Sequence, residues 1–484
     1  MLLIILVLVI LFSFIGFILF RAFSIKPLPS IAVSPERAVD LQRAIRNLSH
    51  SLQIQTISSQ EQEGNAESLL AFLSFLAAAY PRVHTHLSRE VFGGYSLLYK
   101  WEGTNTALKP ILLMSHLDVV PVDASTSSQW RYPPFSGAFA EGYIWGRGAL
   151  DVKSGIIFIM EAIEQLVADG FKPQRSIYIA LGHDEESGGT TGNAQIAQAL
   201  LARGVRLEYT LDEGGFLLDA GEFSGIERPV AMVGIAEKGY LTLSLSVVGQ
   251  DGHSSCPTEE SSIGVLARAI TRLERQKFPL RLTVPSRAMF LALAPYLPFG
   301  QRLAAANLAF FFRLGKRRLT KSPRLAAMLR TTMAPTMLRG SAKENVLPKL
   351  AQAVINLRLL GGETREGVIG RVRKIIDDER VRIEEIGFSS EPSSLSDINS
   401  ASFALISKTI REVFPAVVVA PFLVVVATDS RYYQQISENT YRFLPFVVNE
   451  DMLAGIHGIN ERISAENIVK GVTFFLRLLR ASSV

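Results

Sequence analysis

Seven histidines, one cysteine and 45 acidic residues make up the ionisable stock of this 484-residue chain apart from its bases and tyrosines. A subset is spaced for one kind of chemistry. His116 and Asp118 lie in the apolar run PILLMSHLDVV (110–120), and Asp151 follows IWGRGAL just ahead of a helical pattern. Asp184, Glu185 and Glu186 follow SIYIALG, Asp212 and Glu213 follow LEYTL, and His457 sits in AGIHGINE after the last apolar run. In open α/β sheets, ligands gather outside the carboxyl ends of the strands, and these residues fall at such ends. The adjacent Glu185 and Glu186 repel unless a cation or a proton compensates them. Neutral imidazoles and carboxylates without a thiolate suit zinc, cobalt or manganese. A single Cys excludes a thiolate-built zinc site and a disulfide framework alike. A two-metal site needs one bridging carboxylate and roughly two further ligands per metal, a count that two His, one bridging Asp and two more carboxylates meet. Asp118 is spaced to hold the imidazole nitrogen of His116 that faces away from a metal. One glutamate of the 185–186 pair is then free as a general base on water.

Short, nearly continuous apolar runs at 96–101, 110–120, 176–182 and 207–213 alternate with helical patterns at about 153–168 and 191–203. That alternation predicts an α/β sheet buried on both faces. From Tyr240 the period changes to two (LTLSLSVVG). A helix at 261–275, a strand at 351–360, a helix at 364–377 and a strand at 381–387 then predict a smaller α+β domain. The first pattern resumes with a helix at 400–413, strands at 417–426 and 443–448, and a closing helix at 464–480. Ser34-Pro35-Glu36 reads as an N-cap with proline at the first helical position. The organisation expected is a segment 1–21, a catalytic domain in two parts, 34–236 and 389–484, and an inserted domain over 237–388. Hydrophobic residues at 48%, charged residues at 20% and a mean hydropathy of +0.23 exclude a largely disordered chain.

Residues 1–20 carry no charged side chain. As a helix they span about 30 Å, the thickness of a hydrocarbon core, which predicts a single membrane anchor, with a cleaved signal segment as the competitor. Arg21 and Lys26 favour a cytoplasmic C-terminal side, yet a large domain translocates regardless of such charge. The expectation is a single-pass membrane protein with its catalytic domain extracytoplasmic, or secreted if the segment is cleaved. The net charge of +5 is unevenly spread: residues 281–330 hold ten Lys/Arg and no Asp or Glu, so the rest of the chain is acidic. Phe290, Leu291, Tyr296, Phe299 and Phe310 to Phe312 interleave with those charges. This segment reads as a basic amphipathic hairpin on anionic lipid, as an apolar channel for an acyl chain, or as a helical insertion packed on the lid or on a dimer partner. Its interleaved charge speaks against nucleic acid.

The motifs SHLDVVPV (115–122), WxxPPFSG (130–137), GRGALDVKSG (146–155), GHDEESGG (182–189), LDEGG (211–215), GQDGHSS (249–255), ENVLP (344–348) and HGINE (457–461) stand in one order along about 450 residues. In that order they resemble the carboxypeptidase S/aminoacylase family of dizinc metallopeptidases, which includes N-fatty-acyl-amino acid hydrolase/synthase-like members. The resemblance implies a zinc-exopeptidase-like catalytic domain with an inserted α+β lid that serves dimerisation. It implies two Zn2+, with Co2+ or Mn2+ as alternatives. His116 would bind one metal, Asp151 would bridge, and Glu186 and His457 would bind the other. Either Asp212 or Glu213 would be the fifth ligand. Glu185 resembles the general base and Asp118 the residue orienting His116. His253 resembles a lid histidine that stabilises the oxyanion, often at a partner subunit's site. Asn345 and Arg358 match positions that hold the substrate's carboxylate. At Arg358 the family's Arg-x-x-Pro-Gly becomes Arg358-Leu-Leu-Gly-Gly. Thr428-Asp429-Ser430-Arg431 resembles a loop on the substrate side. The implied activity is hydrolysis of peptide or N-acyl amino acid amides next to a free carboxylate. Synthesis and hydrolysis of N-fatty-acyl amino acids is the alternative, and a catalytically silent binding module is the rival from outside enzymes.

Overall fold

The computed structural model describes residues 1–29, 31, 38–58 and 65–483. The expected cap at Ser34-Pro35-Glu36 lies outside them; Asp40 caps the helix Leu41–Gln53 by accepting the Arg43 N–H at 3.0 Å.

Among the described residues, the larger sheet has ten strands. Its centre runs Ile177–Gly182, Ile111–His116, Thr210–Asp212, Thr440–Arg442, each parallel to the next. Ile111, Leu112, Leu113, Ile177 and Ile179 are fully buried, because helices cover both faces. On one side the helices Leu41–Gln53, Lys153–Ala168 and Ala465–Ser482 share a core with the sheet, and on the other Asn193–Ala202 does. Parallel neighbours end at the same edge, so His116 lies opposite Gly182 and the loops after both emerge together.

A second, four-stranded antiparallel sheet runs Thr332–Arg339, Leu350–Leu359, Gly239–Val248, Val381–Glu385. The helices Ser262–Arg275 and Arg365–Ile376 pack on it through a separate core built around Leu243, Leu266, Ile355 and Val372. Lys238 joins the two sheets, and its buried ammonium donates to Ala327 O at 3.0 Å and Arg330 O at 2.9 Å. The basic-apolar segment forms helices Val284–Leu293, Phe299–Ala306, Leu308–Leu319 and Pro323–Leu329. Its first helix packs through Met289 and Leu293 on Val418 and Ala420 of the larger sheet. The buried side of this first helix therefore lies on the larger sheet rather than on the smaller one.

Several strands differ from the sequence reading, the fully buried Val230–Glu237 among those it leaves unmarked. Within the run at 443–448 only Val447–Val448 is a strand, a second strand, Thr440–Arg442, ends just before it, and Pro445 between them has no N–H for a ladder. Thr332–Arg339 and Ser88–Phe92, unmarked in the sequence, are largely exposed edges without apolar alternation. One helix among the described residues, Leu2–Ser24, is long and apolar enough to cross a membrane, a property it shares with signal sequences.

Candidate metal centre

His116 is the last residue of its strand and is almost fully buried. Gly182 ends the neighbouring strand, and Glu185 and Glu186 open a single 3-10 turn just beyond it. Gly189 closes that loop at φ +67°, where a Cβ would stand 1.9 Å from Asp429 Oδ1, so only glycine fits. Glu213 follows the strand Thr210–Asp212, Asp151 precedes the helix Lys153–Ala168, and His457 follows Glu450–Gly455 with a left-handed φ of 58°.

These residues converge. His116 Nε2 is 3.2 Å from Asp151 Oδ1 and 3.8 Å from Glu213 Oε1. His457 Nε2 is 3.0 Å from Asp151 Oδ2 and 3.4 Å from Glu186 Oε1. Asp151 thus offers one oxygen to each imidazole. The other nitrogen of His116 faces Asp118, 3.0 Å from its backbone carbonyl and 3.3 Å from Oδ1. The same carboxylate accepts the Glu185 N–H at 3.2 Å and the Glu186 N–H at 3.0 Å. Asp118 therefore fixes both the histidine and the turn that carries the two glutamates.

Glu461 is a residue to which sequence reasoning gave no role, although it stands in the HGINE motif. It is fully buried and pairs with Arg147 Nη1 at 2.7 Å. Its carboxylate also accepts the N–H groups of Gly148, Leu150 and Asp151 at 3.1, 2.8 and 3.1 Å. Arg147 Nη2 donates back to Gly458 O at 2.9 Å. One buried ion pair thus ties the loop bearing Asp151 to the loop bearing His457. Its signal was the Glu that closes HGINE and the Arg of GRGALD, but their contact spans more than 300 residues.

The electrostatics follow from crowding carboxylates around two imidazoles. Burial, with added charge from Glu213, Asp429 and Glu186, holds the Glu185 carboxyl well above the usual range. Burial and neighbouring acids likewise raise Glu186 and Glu213. Against a burial penalty that raises it, His116 and His457 hold Asp151 below the usual range. The Asp151 and Glu186 carboxylates push His457 up to about 10. A divalent cation relieves the same crowding, and imidazole and carboxylate donors bind one in their deprotonated forms. The donor set fits. The groups His116, Asp151, Glu186 and His116, Glu185, Glu213 each have donor atoms within 4.8 Å of one another. Among the described residues, Glu186 Oε1 is buried with no hydrogen bond beyond the 3.4 Å contact to His457.

Other expected site residues lie elsewhere. Asp212 is buried, but its Oδ2 accepts the Ser430 N–H at 2.9 Å, and it belongs to neither donor group. His253 pairs with Val346 in a short ladder, Asn345 precedes that partner, and both are exposed. Arg358 lies on the smaller sheet with its guanidinium 4.3 Å above the Tyr240 ring. Among the described residues, no hydrogen bond or ion pair joins these three to the His116 cluster. Arg431 is buried between the Phe388 and Tyr432 rings and donates to Gly188 O at 2.8 Å, next to the glutamate turn. His183 is buried against Ser96 Oγ at 2.6 Å, and His84 is half-buried beside Tyr99, whereas His50 and His86 are exposed.

Residues 112–481 match the family model described as Peptidase family M20/M25/M40. The chain is 40% identical over 445 residues to a probable carboxypeptidase S-like 2 from Dictyostelium discoideum, covering 91% of this chain and 85% of that protein. It is 38% identical to the N-fatty-acyl-amino acid synthase/hydrolase PM20D1.1 of Danio rerio, covering 93% of this chain and 87% of that one. The crystal structure of an M20 family metallo-carboxypeptidase, Sso-CP2 from Sulfolobus solfataricus, shares the fold at a TM-score of 0.67 and 17% identity, over 90% of this chain and 98% of the other. The family match takes in the strand that carries His116 and runs past His457, and the relatives extend the likeness over nine-tenths of the chain: it belongs to peptidase family M20/M25/M40, a family of metallopeptidases.

Proposed function

We propose that this metallohydrolase cleaves peptide or N-acyl amino acid amide bonds adjacent to a free carboxylate. His116 and Glu213 would hold one divalent cation, Glu186 and His457 a second, and Asp151 would bridge them; two Zn2+ is the pairing proposed, with Co2+ or Mn2+ as alternatives. When bound, such ions polarise a carbonyl oxygen and lower the pKa of water to about 7. Glu185 stands beside them as the general base. Its carboxylate takes a proton from the attacking water, whose oxygen bonds to the amide carbon. As the C–N bond breaks, Glu185 returns the proton to the departing amine. Asp118 keeps His116 in one tautomer and holds Glu185 at its backbone. His253 would stabilise the oxyanion, and Asn345 and Arg358 would hold the substrate's carboxylate.

These last three residues belong to the smaller unit, which we read as an inserted lid over 237–388 within a catalytic domain of 34–236 and 389–484. Because His253 is exposed and apart from the cluster, the lid would have to close or a second copy would have to supply it. Met337 and Leu338 are exposed on the edge strand Thr332–Arg339 and favour a homodimer through the lid. The helix Leu2–Ser24 is read as a retained single-pass anchor with the catalytic body extracytoplasmic.

The observation that carries the reading is the convergence of two histidines and four carboxylates at one sheet edge. A second reading, synthesis and hydrolysis of N-fatty-acyl amino acids, is favoured by the apolar segment 281–330. It packs on the strand Val418–Val424, whose continuation Thr428–Arg431 borders Asp212 and the glutamate turn. The test is the rate of the purified full chain on a dipeptide and on an N-long-chain-acyl amino acid, before and after chelation. Hydrolysis abolished by chelator and restored by Zn2+ is expected. Hydrolysis indifferent to chelation, or none on either substrate with metal supplied, overturns the proposal. Preference for the long acyl chain selects the second reading.

A further inference from the structure

The apolar helix Leu2–Ser24 is docked onto the body at its C-terminal end. Side chains from Met1 to Phe17 are exposed, whereas Ile18 and Ala22 are buried. The last carbonyls of a helix lack partners within it, and here the basic-apolar segment supplies donors. Arg302 donates to Ala22 O and, beyond the helix, to Ile25 O, both at 2.7 Å. Asn307, itself buried, donates to Ile18 O at 3.1 Å. Tyr296 Oη accepts the Leu28 N–H at 3.3 Å. Phe310 meets Phe14 edge-on at 5.1 Å, and Phe299 lies 5.7 Å from Phe23.

Those contacts run alongside the helix from Phe14 to Ser24, about 15 Å at 1.5 Å per residue. Over the same stretch Phe17, Phe20 and Phe23 are exposed. Whatever medium covers these phenylalanines also reaches the helices Phe299–Ala306 and Leu308–Leu319 beside them. On the second of these, Phe310 and Leu314 lie one turn apart on one face, 47% and 71% exposed. Arg313 and Lys316 are exposed next to them. The segment 281–330 has ten basic residues and no acid to oppose an anionic surface. Exposed apolar side chains rimmed by cations, on a short helix packed beside a membrane-length one, are the pattern of a helix lying in the headgroup boundary, where such helices bury about 5–10 Å.

We propose that Leu308–Leu319, with Phe299, is a second membrane element: it lies in the surface of an anionic bilayer, Phe310 and Leu314 among the acyl chains and Arg313 and Lys316 on lipid phosphates. The proposal rests on the reading of Leu2–Ser24 as a retained anchor. It makes the body a rigid appendage of the bilayer rather than a domain swinging on a tether.

The test uses the full chain in vesicles of phosphatidylcholine and phosphatidylglycerol whose acyl chains are either plain or brominated. Leu314→Trp and Phe12→Trp are compared; both positions are exposed, and the native Trp101, Trp130 and Trp145 are buried and give a constant background. Brominated lipid is expected to quench the tryptophan introduced at position 314 severalfold, and Arg313→Glu with Lys316→Glu to relieve that quenching while position 12 stays quenched. Equal emission from position 314 in plain and brominated vesicles, with position 12 quenched, overturns the surface helix alone. An unquenched position 12 overturns the anchor and the proposal with it. Emission at position 314 that responds to protein concentration in detergent but not to brominated lipid would assign the face to a second copy of the chain and also overturn the proposal.

Discussion

Glu185 and Glu186 are adjacent and held by the same Asp118, yet the geometry gives them different neighbours. Glu186 shares its donor group with Asp151 and faces His457 at 3.4 Å; Glu185 shares one with Glu213. If Glu185 is the general base, Glu185→Gln keeps an oxygen of similar size but cannot accept a proton. The expected outcome is wild-type metal content with kcat reduced by about 10²–10⁴, read by metal analysis beside steady-state kinetics; unchanged kcat would remove Glu185 from the role. The same reasoning separates Asp212 from Glu213. Asp212 already accepts a backbone N–H from Ser430, and Asn would preserve that bond, whereas Glu213 faces His116. Asp212→Asn is expected to retain both metals and Glu213→Gln to lose one. The reverse pattern would exchange their assignments.

At the scale of elements, the site is held by a clamp between chain segments far apart in sequence. The strand Arg462–Ser464 pairs with Tyr143–Trp145, which brings Glu461 beside Gly146 and aims its carboxylate at three N–H groups of the 148–151 loop. Glu461→Ala would leave Arg147 buried without its partner, and removing one member of a buried pair costs about 3–5 kcal/mol. A clearly lowered Tm and weakened metal retention are expected together; a Tm unchanged by the substitution would show that the loops hold themselves. This clamp also marks where sequence reading stops. The strand Ile111–His116 was legible because every side chain in it is buried and the run is apolar. The candidate donors His116, Glu185, Glu186 and Glu213 stand out in the sequence because they end or follow such runs. Thr332–Arg339 was not legible, since six of its eight side chains are exposed and a bulge interrupts its register at Pro335. Glu461 was visible as a motif letter, but no local pattern reports that its partners lie over 300 residues upstream. Between Asp212 and Glu213 the sequence offers no distinction, because the Ser430 N–H that Asp212 accepts comes from a loop over 200 residues away.

At the scale of the whole molecule, the metal cluster and the exposed His253 stand on different sheets with different cores. A lid that closes within one chain and a lid supplied by a second copy make opposite predictions for mixtures. His253→Ala and Glu185→Gln are each expected to be nearly inactive alone, the first lacking the oxyanion donor and the second the base. In a mixed dimer whose lids exchange, the Glu185→Gln chain lends its intact His253 to the intact Glu185 of the other chain, so one complete site forms. If each lid serves its own site, every site in the mixture still lacks one group. The two variants, unfolded together and refolded or co-expressed with different tags, are expected to recover a measurable fraction of wild-type turnover in the doubly tagged species. A doubly tagged species as inactive as its parents would place His253 over its own chain's metals, and a failure to form any such species would remove the homodimer itself. Anchoring enters the same argument. Two chains tethered side by side in one bilayer meet at a higher effective concentration than in solution. Complementation should therefore be stronger in shared vesicles than in dilute detergent, and equal recovery in both would separate dimerisation from the membrane.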